Sequence, residues 1–362
     1  MEATNEISGL LDLMVQPAFS VRNGQICDIN AAAQGRLITR DMQLEDLLIT
    51  GKQEYADFRD GCLYLTLRIH NTSCGASVSR VGDSDIFVLE QDADQMQLQA
   101  MALAAKELRL PLNNAMTITD GLFPVSGKNG DPDLLEQVAK INRGLFQMHR
   151  IICNMSDAYR YSQETDAVTE TRDICSLMTE LFESNKELVK HAGIDLHFIA
   201  PSEPIYCLVD WEKLERGIHN ILSNAVKFSP AGTCIQAKLT RSGQLLYLTV
   251  QDGGSGVAPA LRSGIHARYL REPGIEDGRY GIGLGMVLIR SAAAAHGGTV
   301  LMEHPQEQGA RVTMTIAIRN NTSGTVRSPQ HRFAIDYTGG WDHRLLELSE
   351  ALPASAYRKE LN

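Results

Sequence analysis

Three short stretches in the second half of this 362-residue chain carry side chains that could handle a charged ligand. The first is Asn220-Ile-Leu-Ser-Asn224-Ala-Val-Lys227-Phe228. On a helix, positions four and three apart share one face, so two carboxamides and an ammonium would point the same way. Magnesium takes oxygen ligands, and an amide oxygen is a neutral one. A lysine ammonium is a mobile point charge suited to phosphate oxygens. An ordinary polar helix face would show the same pattern. The second stretch is Asp252-Gly-Gly254-Ser-Gly256, directly after a strand-like run at 245–250. A carboxylate there can accept a hydrogen bond from an exocyclic amino group such as that of adenine. Gly254 and Gly256 would let backbone approach a flat ring, although a plain glycine-rich turn reads the same way. The third is Gly281-Ile-Gly283-Leu284-Gly285, opening an apolar run that ends at His296-Gly-Gly298. Glycines leading into a helix N-terminus expose N–H groups and the positive end of the dipole to phosphate. The dinucleotide-binding fingerprint needs a strand and then GxGxxG, and the GxGxG spacing here excludes it.

These stretches need a framework, and the chain divides into four blocks that could supply one. Residues 163–320 alternate helical and strand-like runs: helices at 174–191, 211–228 and 284–296, and strands at 195–199, 205–209, 234–239, 245–250, 299–303 and 311–318. That is a compact α/β domain. Residues 91–162 read as two long helices around a break at 124–133 rich in Pro, Gly and Asp. Val138, Ile141, Leu145, Met148, Ile152, Met155 and Tyr159 recur at alternating spacings of three and four. Leu98, Met101, Ala105, Leu108, Leu112 and Ala115 keep the same rhythm. Such stripes form bundle seams, and pairing of two hairpins into a four-helix bundle would cover both faces. Residues 1–90 mix strand-like runs with short helices, and Asn23-Gly24 sits between two of those runs as a tight hairpin turn. Residues 321–362 begin polar and end in a short amphipathic stretch, LLELSEALPASAY, expected to dock on another surface.

Composition narrows the possibilities. Lys plus Arg is 34 against 44 Asp plus Glu, a net charge of -10, which disfavours general binding of nucleic acid or anionic lipid. Hydrophobic residues at 43% and charged residues at 22% exclude disorder over most of the chain. No stretch has the 18 or so consecutive apolar residues of a bilayer span, and the acidic N-terminus lacks signal-peptide character. A cytoplasmic location is expected. Seven scattered cysteines with no CxxC spacing argue against disulfides and a zinc site.

In their order and spacing the three stretches resemble the N, G1 and G2 boxes of the GHKL ATP-binding fold, an α/β sandwich, in the version found in sensor histidine kinases. Asp210 and the His-Gly-Gly at 296–298 fit that pattern too. The resemblance covers residues 91 to about 320. It implies ATP and Mg as ligands, with Asn224 on Mg, Asn220 and Lys227 on phosphates, Asp252 on adenine, and residues 257–280 as a lid. Phe228, Gly254, Gly256, Gly281, Gly283, Leu284 and Gly285 complete the implied nucleotide site. The lid box departs from the family, with Arg268-Tyr-Leu-Arg271 where phenylalanines are usual. The opening segment, PAFSVRNGQICDINAAAQ, is similar to the start of a PAS sensor domain. The fold expected is thus multidomain α+β: a PAS-like domain, a dimerising hairpin and an ATP-binding sandwich.

The family's hairpin carries an H-E-L-R-T-P-L type motif whose histidine accepts the γ-phosphoryl group. This chain reads Lys106-Glu107-Leu108-Arg109-Leu110-Pro111-Leu112. The stripe places Ala105 and Leu108 inside and sends Lys106 into solvent. A neutral imidazole has a lone pair at neutral pH, whereas a lysine of pKa about 10.4 is more than ~99.9% protonated there. No phosphotransfer through position 106 is expected. His149 lacks the acidic neighbour and the proline, and is expected to be a surface or bundle-edge histidine. The resemblance therefore implies an ATP-binding histidine kinase homologue in two-component-type signalling. It would be a homodimer, or a heterodimer with another kinase, acting on a partner in trans or as an ATP-dependent regulator. A separate response regulator is a further possible partner. The alternatives are a non-catalytic dimeric scaffold and a GHKL kinase acting on Ser or Thr.

Overall fold

The computed structural model describes residues 2–70, 72–90, 93–128, 132–163, 170–254, 256, 284–303, 305, 309–319 and 340–358. The chain starts with helix α1 (Glu2–Asp12), strands β1 (Ala18–Arg22) and β2 (Gln25–Ile29), and short helices α2 (Ala31–Gly35), α3 (Leu44–Leu47) and α4 (Lys52–Asp57). Strands β3 (Cys62–Ile69), β4 (Thr72–Val81) and β5 (Ser84–Leu89) follow. They pair antiparallel in the order β2-β1-β5-β4-β3. Asn23 and Gly24 both take positive φ, 51° and 80°, the geometry that lets a two-residue turn follow the twist of β1 and β2. Asn30 caps α2 by accepting from the Ala33 N–H, and its amide donates to the carbonyls of Leu11, Met14 and Gln16. One side chain thus ties the end of α1 to the sheet. Phe19 and Phe87 stack at 5.0 Å in the core beneath.

The hairpin consists of α5 (Ala93–Lys128) and α6 (Pro132–Gln163). The break is narrower than the sequence pattern implies. Helix α5 runs on to Lys128, and Pro132 opens α6 at a position that needs no backbone N–H. Leu98, Ala105 and Leu112 face Val138, Leu145 and Ile152 from buried positions seven residues apart on each helix. In the rest of each stripe Leu108, Ile141 and Met148 are exposed, while Met101, Ala115, Met155 and Tyr159 are half-buried. Leu108 therefore does not lie inside as expected. Two helices cover only one sector of an apolar stripe, and the three exposed side chains lie beyond it.

The α/β block contains β6 (Glu170–Asp173), α7 (Ile174–Lys190), β7 (Asp195–Ile199), β8 (Tyr206–Val209), α8 (Trp211–Phe228), β9 (Cys234–Ser242) and β10 (Leu245–Gln251). It closes with α9 (Gly285–Ala295), β11 (Val300–Glu303) and β12 (Arg311–Ala317). The order is β7-β9-β10-β12-β11, with β7 and β9 parallel and the remaining pairs antiparallel, while β6 and β8 form a separate ribbon. Helices α8 and α9 lie side by side. A Cβ on Gly217 would sit 2.7 Å from that of Ala292, so this approach needs glycine.

Two joints connect the blocks, and the first was not legible in the sequence. Strand β3 pairs antiparallel with β11, Tyr64 opposite Val300, and fuses both sheets into one of ten strands. Arg290 seals this joint: it reaches Glu90 at 2.9 Å and lies over the Tyr64 ring at 4.6 Å. The second joint is the C-terminal segment, helix α10 (His343–Glu347) with a 3-10 turn (Ala354–Tyr357). As expected it docks. Leu346, Leu348 and Leu352 are buried in the core shared by the hairpin and the α/β block, and Trp341 and Tyr357 pack on Phe146 of α6.

Candidate functional site

Helix α8 presents the first motif. Asp210 caps it, accepting from the Lys213 N–H at 3.2 Å, and its own N–H donates to Nε2 of His296 at 3.0 Å. His296 Nδ1 contacts the Ala292 carbonyl at 2.7 Å. With one ring nitrogen accepting and the other donating, His296 is neutral, and burial pushes its pKa down. The start of α8 is thereby fixed to the end of α9.

The three motif stretches converge. Asn220 is 1% exposed, and a Cβ built on Gly285 at the start of α9 would lie 3.0 Å from its Oδ1. A Cβ on Gly254 would lie 2.5 Å from the Phe228 carbonyl oxygen, so the loop after β10 rests on the end of α8. Asp252 is oriented by its own neighbourhood: Oδ1 accepts from the N–H groups of Gly254 at 2.9 Å and Ala310 at 3.0 Å. Asn224 is half-buried on α8, the Lys227 side chain is almost covered, Phe228 is exposed and Leu284 is buried. Gly256 has a φ of 75°. Gly281, Gly283, the lid stretch 257–280 and Arg268–Arg271 lie outside the described residues.

A second set of side chains, not foreseen from the motifs, meets the first. Arg150 of α6 donates to Asn220 Oδ1 at 3.1 Å and to Ser223 Oγ at 3.0 Å. The Asn220 amide donates to the Arg216 carbonyl at 2.8 Å. Two acids arrive from the C-terminal segment. Glu347 pairs with the buried Arg216 and lies 3.7 Å from Arg150, and Glu350 lies 3.2 Å from Lys227 and 3.4 Å from Arg150. Asp157 of α6 adds a 2.7 Å contact to Arg216. Burial alone would raise the Glu347 pKa, but the guanidinium groups of Arg216 and Arg150 outweigh it and hold the carboxyl below its usual range. One signal for this network was present in the sequence: Glu347 and Glu350 are three residues apart, on one face among leucines.

On the hairpin, Lys106 is exposed, as its place beside Ala105 requires, and Arg109 reaches Ser156 across the hairpin at 3.4 Å. His149 is 1% exposed, which corrects its expected place at the surface. It lies on the face of α6 that packs inward next to Arg150, whereas the edge facing outward carries Met148. Among the described residues no cluster of three or more His, Cys, Asp or Glu could hold a metal, and no helix is long and apolar enough to cross a membrane.

A mixed sheet with helices across it thus brings a glycine-bounded loop against an asparagine-bearing helix. Residues 209–320 match the family of histidine kinase-, DNA gyrase B- and HSP90-like ATPases, and this part of the chain is an ATP-binding domain of the histidine kinase family. Among similar proteins is hybrid signal transduction histidine kinase D of Dictyostelium discoideum, 29% identical over 64% of this chain and 15% of its own length. Sensor histidine kinase RppB of Synechocystis sp. is 28% identical over 62% of this chain and 50% of its length. Sensor histidine kinase WalK of Bacillus subtilis is 26% identical over 63% and 38%. The chain thus spans at most half the length of these relatives. The fold also matches the crystal structure of full-length ShkA in complex with AMPPNP, with a TM-score of 0.50 at 21% identity over 62% of this chain and 46% of that one.

Proposed function

We propose that the chain is an ATP-binding sensor histidine kinase homologue with no phosphoryl acceptor in its own hairpin. The observation that carries the nucleotide site is the meeting of Asn220 with Gly285 and of Phe228 with Gly254, which brings three distant stretches to one place. There Asp252 would accept from the adenine amino group, and Asn220 and Lys227 would contact phosphate oxygens. The half-buried carboxamide of Asn224 fits magnesium as one neutral oxygen ligand, with phosphate oxygens and water completing the shell. Magnesium would neutralise phosphate charge, and the residues named here would position the nucleotide. Lys106, exposed beside Glu107, lacks the desolvation that helps make a lysine nucleophilic at neutral pH.

The exposed Leu108, Ile141 and Met148 support a dimer, because a second hairpin would complete the half-covered heptads as a four-helix bundle. The antiparallel order β2-β1-β5-β4-β3 supports a PAS-like sensor domain in residues 1–90, joined to the ATP-binding domain by the β3–β11 pairing. The domains we assign are 1–90, 91–162, 163–320 and a C-terminal tail from 321. The phosphoryl group would go to a histidine on a partner kinase or, where no such partner binds, ATP would act as a conformational ligand. Incubation with radiolabelled ATP, alone and with co-purifying proteins, tests this. The expected result is no label on this chain and acid-labile label on a partner. Acid-labile label on the wild-type hairpin would overturn the missing acceptor, and acid-stable label on a substrate protein would favour a Ser/Thr kinase.

A further inference from the structure

Two of the three carboxylates of the C-terminal segment, Glu347 and Glu350, pair with cations beside the proposed nucleotide site. Glu350 sits 3.2 Å from Lys227, the ammonium assigned above to phosphate, and 3.4 Å from Arg150, which itself holds Asn220. A carboxylate on a lysine ammonium stands where a phosphate oxygen would stand. Lys227 is nearly buried in this arrangement, with its side chain 5% exposed.

The segment is built to hold that position. Leu346, Leu348 and Leu352 are fully buried, Gln147 of α6 donates to the Ser349 carbonyl at 3.0 Å, and Tyr357 donates to the Leu345 carbonyl at 2.7 Å. Arg344 reaches the Ser184 carbonyl of α7 at 3.0 Å. The segment therefore binds the hairpin and the ATP-binding domain at once. We propose that residues 340–358 form an autoinhibitory latch: Glu350 occupies the phosphate position on Lys227, so latch docking and Mg-ATP binding oppose each other. This rests on the nucleotide site described above. By reciprocity, whatever the latch takes from nucleotide affinity, the nucleotide takes from latch docking.

The test is a calorimetric titration of the full chain with Mg-ATP, comparing wild type with Glu350→Gln. The substitution keeps shape and removes the charge that competes with phosphate, and the buried Glu347 remains to keep the fold. Affinity at least about fivefold tighter in Glu350→Gln is expected, the lower end of common coupling strengths. Hydrogen exchange on the wild type should then show faster exchange across 343–352 when Mg-ATP saturates the protein. Equal or weaker affinity in the variant, with wild type binding, overturns the latch and leaves the nucleotide site standing. Unchanged exchange at saturation also overturns it. Absence of binding in both proteins overturns the nucleotide reading and the latch with it.

Discussion

The convergence of α8, the loop after β10 and the start of α9 differs in construction from the segment around Lys106 on α5. Around Asn220 the contacts come from several parts of the chain: Arg150 from the hairpin, Gly285 from α9, and through Lys227 the C-terminal Glu350. Around Lys106 one helix face projects into solvent, with Ala105 beneath it. A binding site assembled from several elements is secured by packing, and its positions constrain one another. A reactive position on an exposed helix face is constrained by little except its own chemistry. A single change at 106 can therefore remove a nucleophile while the fold that presents the nucleotide stays intact.

Four experiments test this contrast. The largest effect is all-or-none. Lys106→His places an imidazole in the frame of Glu107, Arg109 and Pro111, and acid-labile phosphate is expected on the variant with none on wild type, read after incubation with radiolabelled ATP. Next, Asp252→Asn keeps an oxygen for the Gly254 and Ala310 N–H groups and loses the charge. Mg-ATP affinity should fall about tenfold to a hundredfold, as for loss of a charged hydrogen bond worth ~1.5–3 kcal/mol, with the association state unchanged. Third, Ile141→Glu with Met148→Glu charges the bare half of the hairpin seam. Dimer dissociation, read by sedimentation, should rise at least about tenfold, because like charges would face each other across the bundle.

The smallest effect concerns pH. Burial pushes the pKa of His219 and of His296 below the usual histidine value. Both stay neutral in the native state while the unfolded chain protonates near pH 6.5, so the unfolded state binds more protons in acid. Stability should be full above about pH 6.5 and decline as pH falls below it. A melting temperature a few degrees lower at pH 5.5 than at 7.5 is expected. A temperature that rises on acidification would contradict buried neutral imidazoles. Glu347 acts further down: its lowered pKa means that its ion pairs weaken only as pH falls below the ordinary carboxylate range.

Local patterns carried most of the secondary structure. Helix α8 begins and ends where the apolar period and Asp210 place it, and Asn23-Gly24 makes the expected turn because only positive φ suits that geometry. The inward half of each heptad stripe was legible and the outward half was not. Periodicity marks an apolar face without saying whether its cover comes from the same chain, and Leu108, Ile141 and Met148 are the result. The β3–β11 pairing left no trace, since both strands read as ordinary alternating runs and backbone pairing is indifferent to sequence separation. Arg150, Arg216 and Glu347 escaped for a related reason. Their burial is tolerable only because they find each other across 131 residues and more, which no local window contains.

Residues 220–228, 252–256 and 281–285 are proposed to bind Mg-ATP together. Calorimetric titration of the wild-type chain with Mg-ATP up to millimolar concentration decides whether they do. Saturable binding at one site per chain, absent when Mg and ATP are replaced by Mg and inorganic phosphate, is the predicted result. No heat of binding from a folded sample at that concentration would contradict it.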